Sequence, residues 1–210
     1  MNDYTKIENR YETIRQKILD EAYQIVLHQG IDQLSMRTIA TAVKSSPANL
    51  YEYFACKEEI VYELYRKLLF DLAQHLNLLD KQLSPDVYLE QIGIAYLEFA
   101  QAHATLFKLA GHSKPENNFG LRSQPPLNSD DTNQFPTFRS HALYMVIYDA
   151  IERQSRETAK VTVPESDLHD RTLAFWSILH GYIALLGPIS CHEYVVGTWK
   201  RLYKQLFLLH

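Results

Sequence analysis

The residues with the clearest chemical potential lie between Arg37 and Lys57, where polar and basic side chains are closely spaced. Asn49 has an amide that can pair with two groups on the edge of adenine, and Ala48 can pack on the methyl group of thymine. Side chains that can reach phosphates surround them: Arg37, Thr38, Thr41, Lys44, Tyr51, Tyr53 and Lys57. Three basic residues against one acidic residue give residues 36–57 a local charge of +2. This chemistry is typical of a contact with nucleic acid.

Two short helices are predicted to position these side chains. Ser35 is a suitable N-cap for a helix from Met36 to Val43, and Ser46 for a second helix that reaches about Phe54. Proline is favoured at the first position of a helix, which suits Pro47, because its missing N–H would be unpaired there anyway. Two such helices joined by a short polar turn have the dimensions of a helix-turn-helix, whose second helix begins at the base edges. The candidates for that base contact are Ser46, Pro47, Ala48 and Asn49.

Gross charge gives no support to binding of nucleic acid. The net charge is −4, and residues 1–70 hold 9 Lys and Arg against 10 Asp and Glu. A basic domain would be the usual electrostatic signature of such a protein. The argument therefore depends on the local arrangement of side chains.

The composition predicts an all-α fold. Of 210 residues 46% are hydrophobic, and only 7 are Gly and 8 Pro, which favours helices over many short strands joined by turns. Apolar periodicity predicts about nine helices. Besides the two above, they span Tyr11–Gln29 (closed by Gly30), Lys57–Leu83, Asp86–Ala102, His103–Gly111, Thr132–Arg156, Glu165–Leu186 and His192–Leu209.

Two domains are expected. A helix-turn-helix head would occupy residues 1–56 and a larger helical body residues 57–210, with the polar, Pro- and Asn-rich stretch 114–134 as a loop, lid or plain linker.

Cys56 and Cys191 form no CxxC pair, which favours a reduced compartment. The start of the chain lacks the apolar core of a signal peptide, and the most apolar run, Ala174–Ile189, is too short to span a bilayer. We expect a soluble cytoplasmic protein without a membrane partner, cofactor or metal.

The N-terminal pattern resembles that of the tetracycline-repressor (TetR) family over about residues 12–62. The matching residues are Ile18-Leu19, Ala22, Gly30, Met36-Arg37, Ile39-Ala40, Val43, Asn49-Leu50-Tyr51, Tyr53-Phe54 and Lys57-Glu58-Glu59. The resemblance implies that the helix at Pro47 is the recognition helix and that Tyr51 and Tyr53 contact DNA. It also implies that Lys57 opens the fourth helix beside a phosphate, and a helix N-terminus favours an anion there.

Cys56 departs from the family pattern, in which a small capping residue such as Ser is usual. A thiol at a helix N-terminus beside Lys57 could have a lowered pKa and act as a redox switch. The alternative is an inert, partly buried cysteine.

In the body, Trp176, His180 and Gly181 resemble the Trp-His-Gly signature of one class of TetR-family C-terminal domains. That resemblance implies a body that binds an effector and dimerises. His180 lies in an apolar helix, so it is either satisfied by a core hydrogen bond or poised for a ligand. The candidate lining residues are Tyr96, Phe99, His103, Phe107, Tyr144, Tyr148, Trp176 and His180, and such a lining favours an amphipathic or aromatic organic ligand.

The last two helices are predicted to form the dimer interface. Their apolar faces, with Trp199, Tyr203 and Phe207, are large enough to meet their symmetry mates as a four-helix bundle. A two-fold dimer reads a two-fold operator, so a palindromic DNA site follows. The predicted function is transcriptional regulation, with a small organic effector that releases a repressor from DNA by population shift.

Three alternatives remain. An all-α enzyme could use the scattered histidines His103, His112, His169 and His180, but no HExxH, GxSxG or paired carboxylates are found, so no enzyme is expected. A metal-responsive regulator could use residues 191–193, although adjacent helical residues point apart. A helical adaptor with a vestigial helix-turn-helix would also tolerate the near-neutral head.

Overall fold

The structure is a computed structural model that describes residues 3–111, 142–158, 163–186 and 192–207. Within these ranges there are nine α-helices, two short 3-10 turns and no strand, so the predicted all-α fold is confirmed. The helices are α1 (Asp3–Gln29), α2 (Met36–Ala42), α3 (Pro47–Leu50), α4 (Lys57–Asn77), α5 (Pro85–Ala102), α6 (Ala104–Phe107), α7 (Ala142–Thr158), α8 (Glu165–Leu186) and α9 (His192–Phe207). The predicted loop at 114–134 lies outside the described residues. None of the described helices is both long and apolar enough to cross a membrane.

The chain divides into two compact units. Among the described residues, the first unit contains 3–68 and 105–111, and the second contains 69–104 together with α7, α8 and α9. The division falls inside α4. The recognition elements α2 and α3 therefore belong to the first unit, and the Trp-His-Gly residues of α8 belong to the second.

The core of the first unit follows the apolar periodicity of the sequence. Helix α1 ends at Gln29, and Gly30 then adopts a positive φ of 86°, a conformation that costs glycine little. Buried side chains from α1 to α4 form the core: Ile18, Ala22, Ile25, Val26, Leu34, Ile39, Ala40, Leu50, Phe54, Ile60, Val61 and Leu64. Leu50 and Phe54 are each only 1% exposed.

Helices α3 and α4 are shorter than predicted. The regular part of α3 ends at Leu50 instead of about Phe54, and residues 51–53 continue as a turn. Helix α4 ends at Asn77 instead of Leu83, and in the segment that follows, the N–H of Gln82 donates to the side chain of Asp80 at 2.9 Å. Such a local side-chain bond offers the backbone an alternative to the helix.

A side chain from α7 stabilises the segment that follows α4. The guanidinium of Arg153 donates to the carbonyl oxygen of Lys81 at 2.7 Å and to that of Leu83. It also lies 5.3 Å from the ring centroid of Tyr88. The turn between α4 and α5 thus has its carbonyl groups satisfied by a distant residue, which the helical periodicity of the sequence did not reveal.

In the core of the second unit, α9 packs closely against α5. Gly93 lies so close to Trp199 that an added Cβ would overlap the indole. The indole N–H of Trp199 donates to the carbonyl of Glu90 at 3.2 Å, and the hydroxyl of Tyr203 donates to the carbonyl of Asp86 at 3.0 Å. Trp199 is 0% and Tyr203 1% exposed. The prediction that these two side chains meet a symmetry mate is therefore wrong, because they fill the chain's own core.

Substitution of Gly93 tests this close approach. Gly93→Ala should lower the free energy of unfolding by roughly 1–3 kcal/mol, the usual cost of overpacking a core, because the indole of Trp199 must move. Gly197→Ala in α9 is the matched control, since its Cβ would meet no atom closer than 3.8 Å. Alanine there should stabilise the helix by roughly 0.5–1 kcal/mol. Urea unfolding followed by circular dichroism measures both, and equal effects from the two variants would contradict the packing described.

Candidate functional site

The start of α2 is held by a reciprocal cap. The hydroxyl of Ser35 accepts from the N–H of Thr38 at 3.1 Å, and the hydroxyl of Thr38 accepts from the N–H of Ser35 at 2.9 Å. At α3, Ser46 accepts from the N–H of Asn49 at 3.2 Å, and Pro47 occupies the first helical position. The predicted caps are confirmed, and two of the hydroxyls expected at the DNA contact are already used to hold the helices.

The turn between α2 and α3 is closed by a Schellman motif. Ser45 donates its N–H to the carbonyl of Ala40 at 2.8 Å, and Lys44 donates to that of Thr41 at 3.1 Å. This pattern requires a left-handed residue after the helix. Lys44 takes that place with φ of 56°, the only positive φ at a non-glycine among the described residues. The chain thus keeps a lysine here at a cost in backbone strain.

The side chains predicted to bind DNA contribute mostly exposed polar surface to the first unit. Nine are exposed or partly exposed, namely Arg37, Thr38, Thr41, Lys44, Ser46, Pro47, Ala48, Asn49 and Tyr51, while Tyr53 and Lys57 are half-buried. Tyr51 is 55% exposed, and the amide of Asn49 donates to the hydroxyl of Ser45 at 2.9 Å. The buried neighbours Leu50 and Phe54 turn this polar face outward.

Two residues of α1 that the sequence interpretation missed hold the segment after α3. The ring of Tyr11 stacks on that of Tyr53, with centroids 4.9 Å apart. One helical turn later the guanidinium of Arg15 lies 4.4 Å from the ring centroid of Phe54 and pairs with Glu63 at 3.3 Å. Tyr11 and Arg15 extend the buried stripe of Ile18 at spacings of four and three, and that spacing is the signal that could have identified them.

The thiol of Cys56 lies at the start of α4 and bonds to the backbone N–H groups of Glu58 and Glu59. Glu59 accepts from the N–H of Ala55 at 2.6 Å. Burial raises the pKa of the Cys56 thiol, with the nearby carboxylate of Glu58 acting in the same direction. The redox hypothesis required a lowered pKa, so the structure favours the inert cysteine.

In the second unit, three of the predicted ligand-binding residues form a buried hydrogen-bonded cluster. The indole N–H of Trp176 donates to the hydroxyl oxygen of Tyr96 at 3.1 Å, and that hydroxyl bonds to Nδ1 of His180. Tyr96 is 0% and Trp176 7% exposed. Burial lowers the pKa of His180, so the imidazole is neutral near pH 7. His180 thus has the hydrogen-bond partner that an apolar helix demands of it.

The remaining predicted ligand-binding residues fall into two smaller groups and one outlier. Phe99 lies 4.3 Å from His103 between ring centroids, with His75, which was not predicted, at 5.6 Å from the Phe99 ring. The remaining pair is Tyr144 with Tyr148, centroids 5.7 Å apart, and the hydroxyl of Tyr144 bonds to Nδ1 of His169 at 2.8 Å. Phe107 belongs to the first unit, whereas the other predicted ligand-binding residues belong to the second.

No group of three or more His, Cys, Asp or Glu that could hold a metal ion occurs among the described residues, which do not include Cys191.

Comparison with known proteins gives a match in the first unit. Residues 18–64 match the family model described as bacterial regulatory proteins, tetR family. This span contains α2, α3 and the first part of α4. Sequence comparison with curated proteins finds no match.

Solved structures resemble the whole chain. A bacterial regulatory protein in the tetR family from Rhodococcus RHA1 is 16% identical, with a TM-score of 0.60 over 91% of this chain and 95% of that chain. The TetR family transcriptional regulator PfmR from Thermus thermophilus is 22% identical, with a TM-score of 0.54 over 89% of this chain and 97% of that chain. BioQ, solved with its double-stranded DNA operator, is 16% identical, with a TM-score of 0.60 over 91% of this chain and 98% of that chain. At these identities the likeness establishes the fold, which is that of a TetR-family transcriptional regulator.

Removal of the strain at Lys44 should stabilise the first unit. Lys44→Gly should raise the free energy of unfolding by about 1 kcal/mol, because the left-handed conformation costs an L-residue about 1–2 kcal/mol. The expected gain is smaller than that full cost, since glycine also gives the unfolded chain more conformational entropy. Thermal unfolding measures the effect. Ser45→Gly is the control: its φ is not positive, so glycine there should destabilise. A loss of stability in Lys44→Gly would contradict the turn geometry.

The buried state of His180 predicts a pH dependence. Its pKa in the folded chain is below the ordinary 6.5, so below that pH the unfolded chain binds a proton that the folded chain does not. The free energy of unfolding should therefore fall as the pH drops through 6.5, by at most about 1.4 kcal/mol per pH unit from this group. His180→Gln should make the slope shallower, whereas His28→Gln, at an exposed position of α1, should leave it unchanged. An unaltered slope in His180→Gln would refute the assignment.

Proposed function

We propose that this protein is a DNA-binding transcriptional regulator whose recognition helix is α3. The observation that carries the proposal is the outward-facing start of α3. Pro47, Ala48 and Asn49 are all exposed there while Leu50 is buried. A short helix presented in this way can enter the major groove with its first residues at the base edges. Asn49 supplies an amide for adenine and Ala48 a methyl contact for thymine.

The surroundings of α3 suit a phosphate backbone. Tyr51 is exposed beside the helix, Lys44 is exposed on the preceding turn, and Lys57 is the first residue of α4. A helix N-terminus with a lysine attracts an anion through both its N–H groups and its charge. The likeness of the fold to BioQ, which is solved on its operator, supports the same use of this surface.

The second unit is proposed to bind a small organic effector. The polar groups of Tyr96, Trp176 and His180 converge inside a largely apolar core. Aromatic surroundings with a few placed polar groups are the usual environment of an amphipathic or aromatic ligand. A ligand that prefers one conformation of this unit can shift the population of DNA-competent protein, and relief of repression is the sign we propose.

The protein is proposed to act as a homodimer through α8 and α9. These helices leave large apolar side chains exposed, with Leu185 at 81%, Tyr194 at 52% and Leu206 at 47%. An added Cβ at Gly181 would meet nothing within 4 Å, so a second helix can approach closely at that point. A two-fold dimer then reads a palindromic operator with half-sites in successive major grooves.

Binding of DNA can be measured by titration with the DNA upstream of the protein's own coding region, across a salt series. Specific, salt-dependent binding should be weakened by Tyr51→Ala, and Lys57→Ala should weaken it while reducing the salt slope by about 1. Lys81→Ala removes the same charge from an exposed position of the second unit and should have little effect. If the wild type binds neither this DNA nor any member of a random-sequence pool, the adaptor or the enzyme interpretation replaces the proposal.

A further inference from the structure

We propose that Tyr11 is a positioning residue for DNA binding, acting through Tyr53. The inference rests on the proposed function. Tyr11 lies on α1 outside residues 18–64, the span that matches the family model. Its ring stacks on that of Tyr53 with centroids 4.9 Å apart and planes 29° from parallel. No contact of Tyr11 with DNA is required.

The position of Tyr53 explains why it needs such a partner. Tyr53 lies in the turn after α3 and not in a regular helix, so helical geometry does not restrict its side chain. Its hydroxyl is predicted from the sequence to contact a phosphate. That contact needs one orientation of the ring, so each alternative rotamer lowers the population that binds. A stacked aromatic pair is worth about 0.5–1.5 kcal/mol beyond the area that it buries. The stack on Tyr11 thus selects one orientation of the Tyr53 ring before DNA arrives.

Most of the segment is held by residues other than Tyr11. Phe54 is 1% exposed, and Arg15 covers its ring while pairing with Glu63. Tyr11, by contrast, is 39% exposed and adds only a bond of 3.4 Å from its hydroxyl to the carbonyl of Glu52. The fold of the turn therefore depends on Phe54 and Arg15, and the main contribution of Tyr11 is the orientation of the Tyr53 ring.

The test is a double-mutant cycle on the full-length protein, with dissociation constants measured by fluorescence anisotropy on a DNA that the wild type binds. Tyr11→Ala should weaken binding by roughly 2- to 10-fold, the range of an aromatic pair, and should have no further effect in the Tyr53→Ala background. Tyr11→Phe keeps the ring and should stay within about twofold of the wild type. Thr13→Ala, a neutral change at an exposed position of α1, is the control. Tyr11→Leu keeps apolar bulk without the stack and replaces Tyr11→Ala if that variant does not fold.

Each outcome decides the proposal. A Tyr11→Ala effect of equal size in both backgrounds means that Tyr11 acts independently of Tyr53, by direct contact or by loss of fold, and overturns it. Wild-type affinity in Tyr11→Ala or in Tyr53→Ala overturns it as well, while the proposed function survives on the binding of the wild type. Failure of the wild type to bind any DNA is a separate result, which removes the proposed function and this inference with it.

Discussion

Burial of Leu50 and Phe54 is the constraint on which the polar surface of the first unit depends. Each side chain is 1% exposed, and the two stand at the ends of the turn that follows α3. Because these two anchors are held in the core, the intervening Tyr51 is directed to solvent. The hydrophobic effect, which has no direction of its own, here determines the direction of a polar surface.

Two features next to these anchors show that the surface is not arranged for stability alone. Lys44 adopts a left-handed conformation that glycine would adopt without strain. Tyr51 leaves more than half of its surface in water. Local departures from the most stable choice tend to concentrate at functional sites. Their coincidence on one short segment of the chain is consistent with selection for a surface that contacts a partner.

The second unit buries polar groups inside a largely apolar bundle, where each of them needs a hydrogen-bond partner. Tyr96, Trp176 and His180 satisfy one another, and burial keeps His180 neutral. A buried polar network of this kind is sensitive to any group that competes for its hydrogen bonds. Such sensitivity would suit the effector response proposed above, and it arises from side chains on two helices, α5 and α8, that are 80 residues or more apart in the chain.

Elements with local signals could be predicted from the sequence alone. The N-caps Ser35 and Ser46, the stop at Gly30 and the bounds of α8 follow from side chains within a few residues of each helix end, and periodicity gave the core of α1 and the first part of α4. Contacts between distant parts of the chain emerged only in the folded structure. It placed Tyr11 on Tyr53 and Arg153 on the carbonyls after α4, and it buried Trp199 against Gly93 where an exposed interface was predicted. An apolar stripe predicts that one face of a helix is buried, but it does not identify the element that buries it. The free energy of burial depends on the area removed from water and not on which residues cover that area.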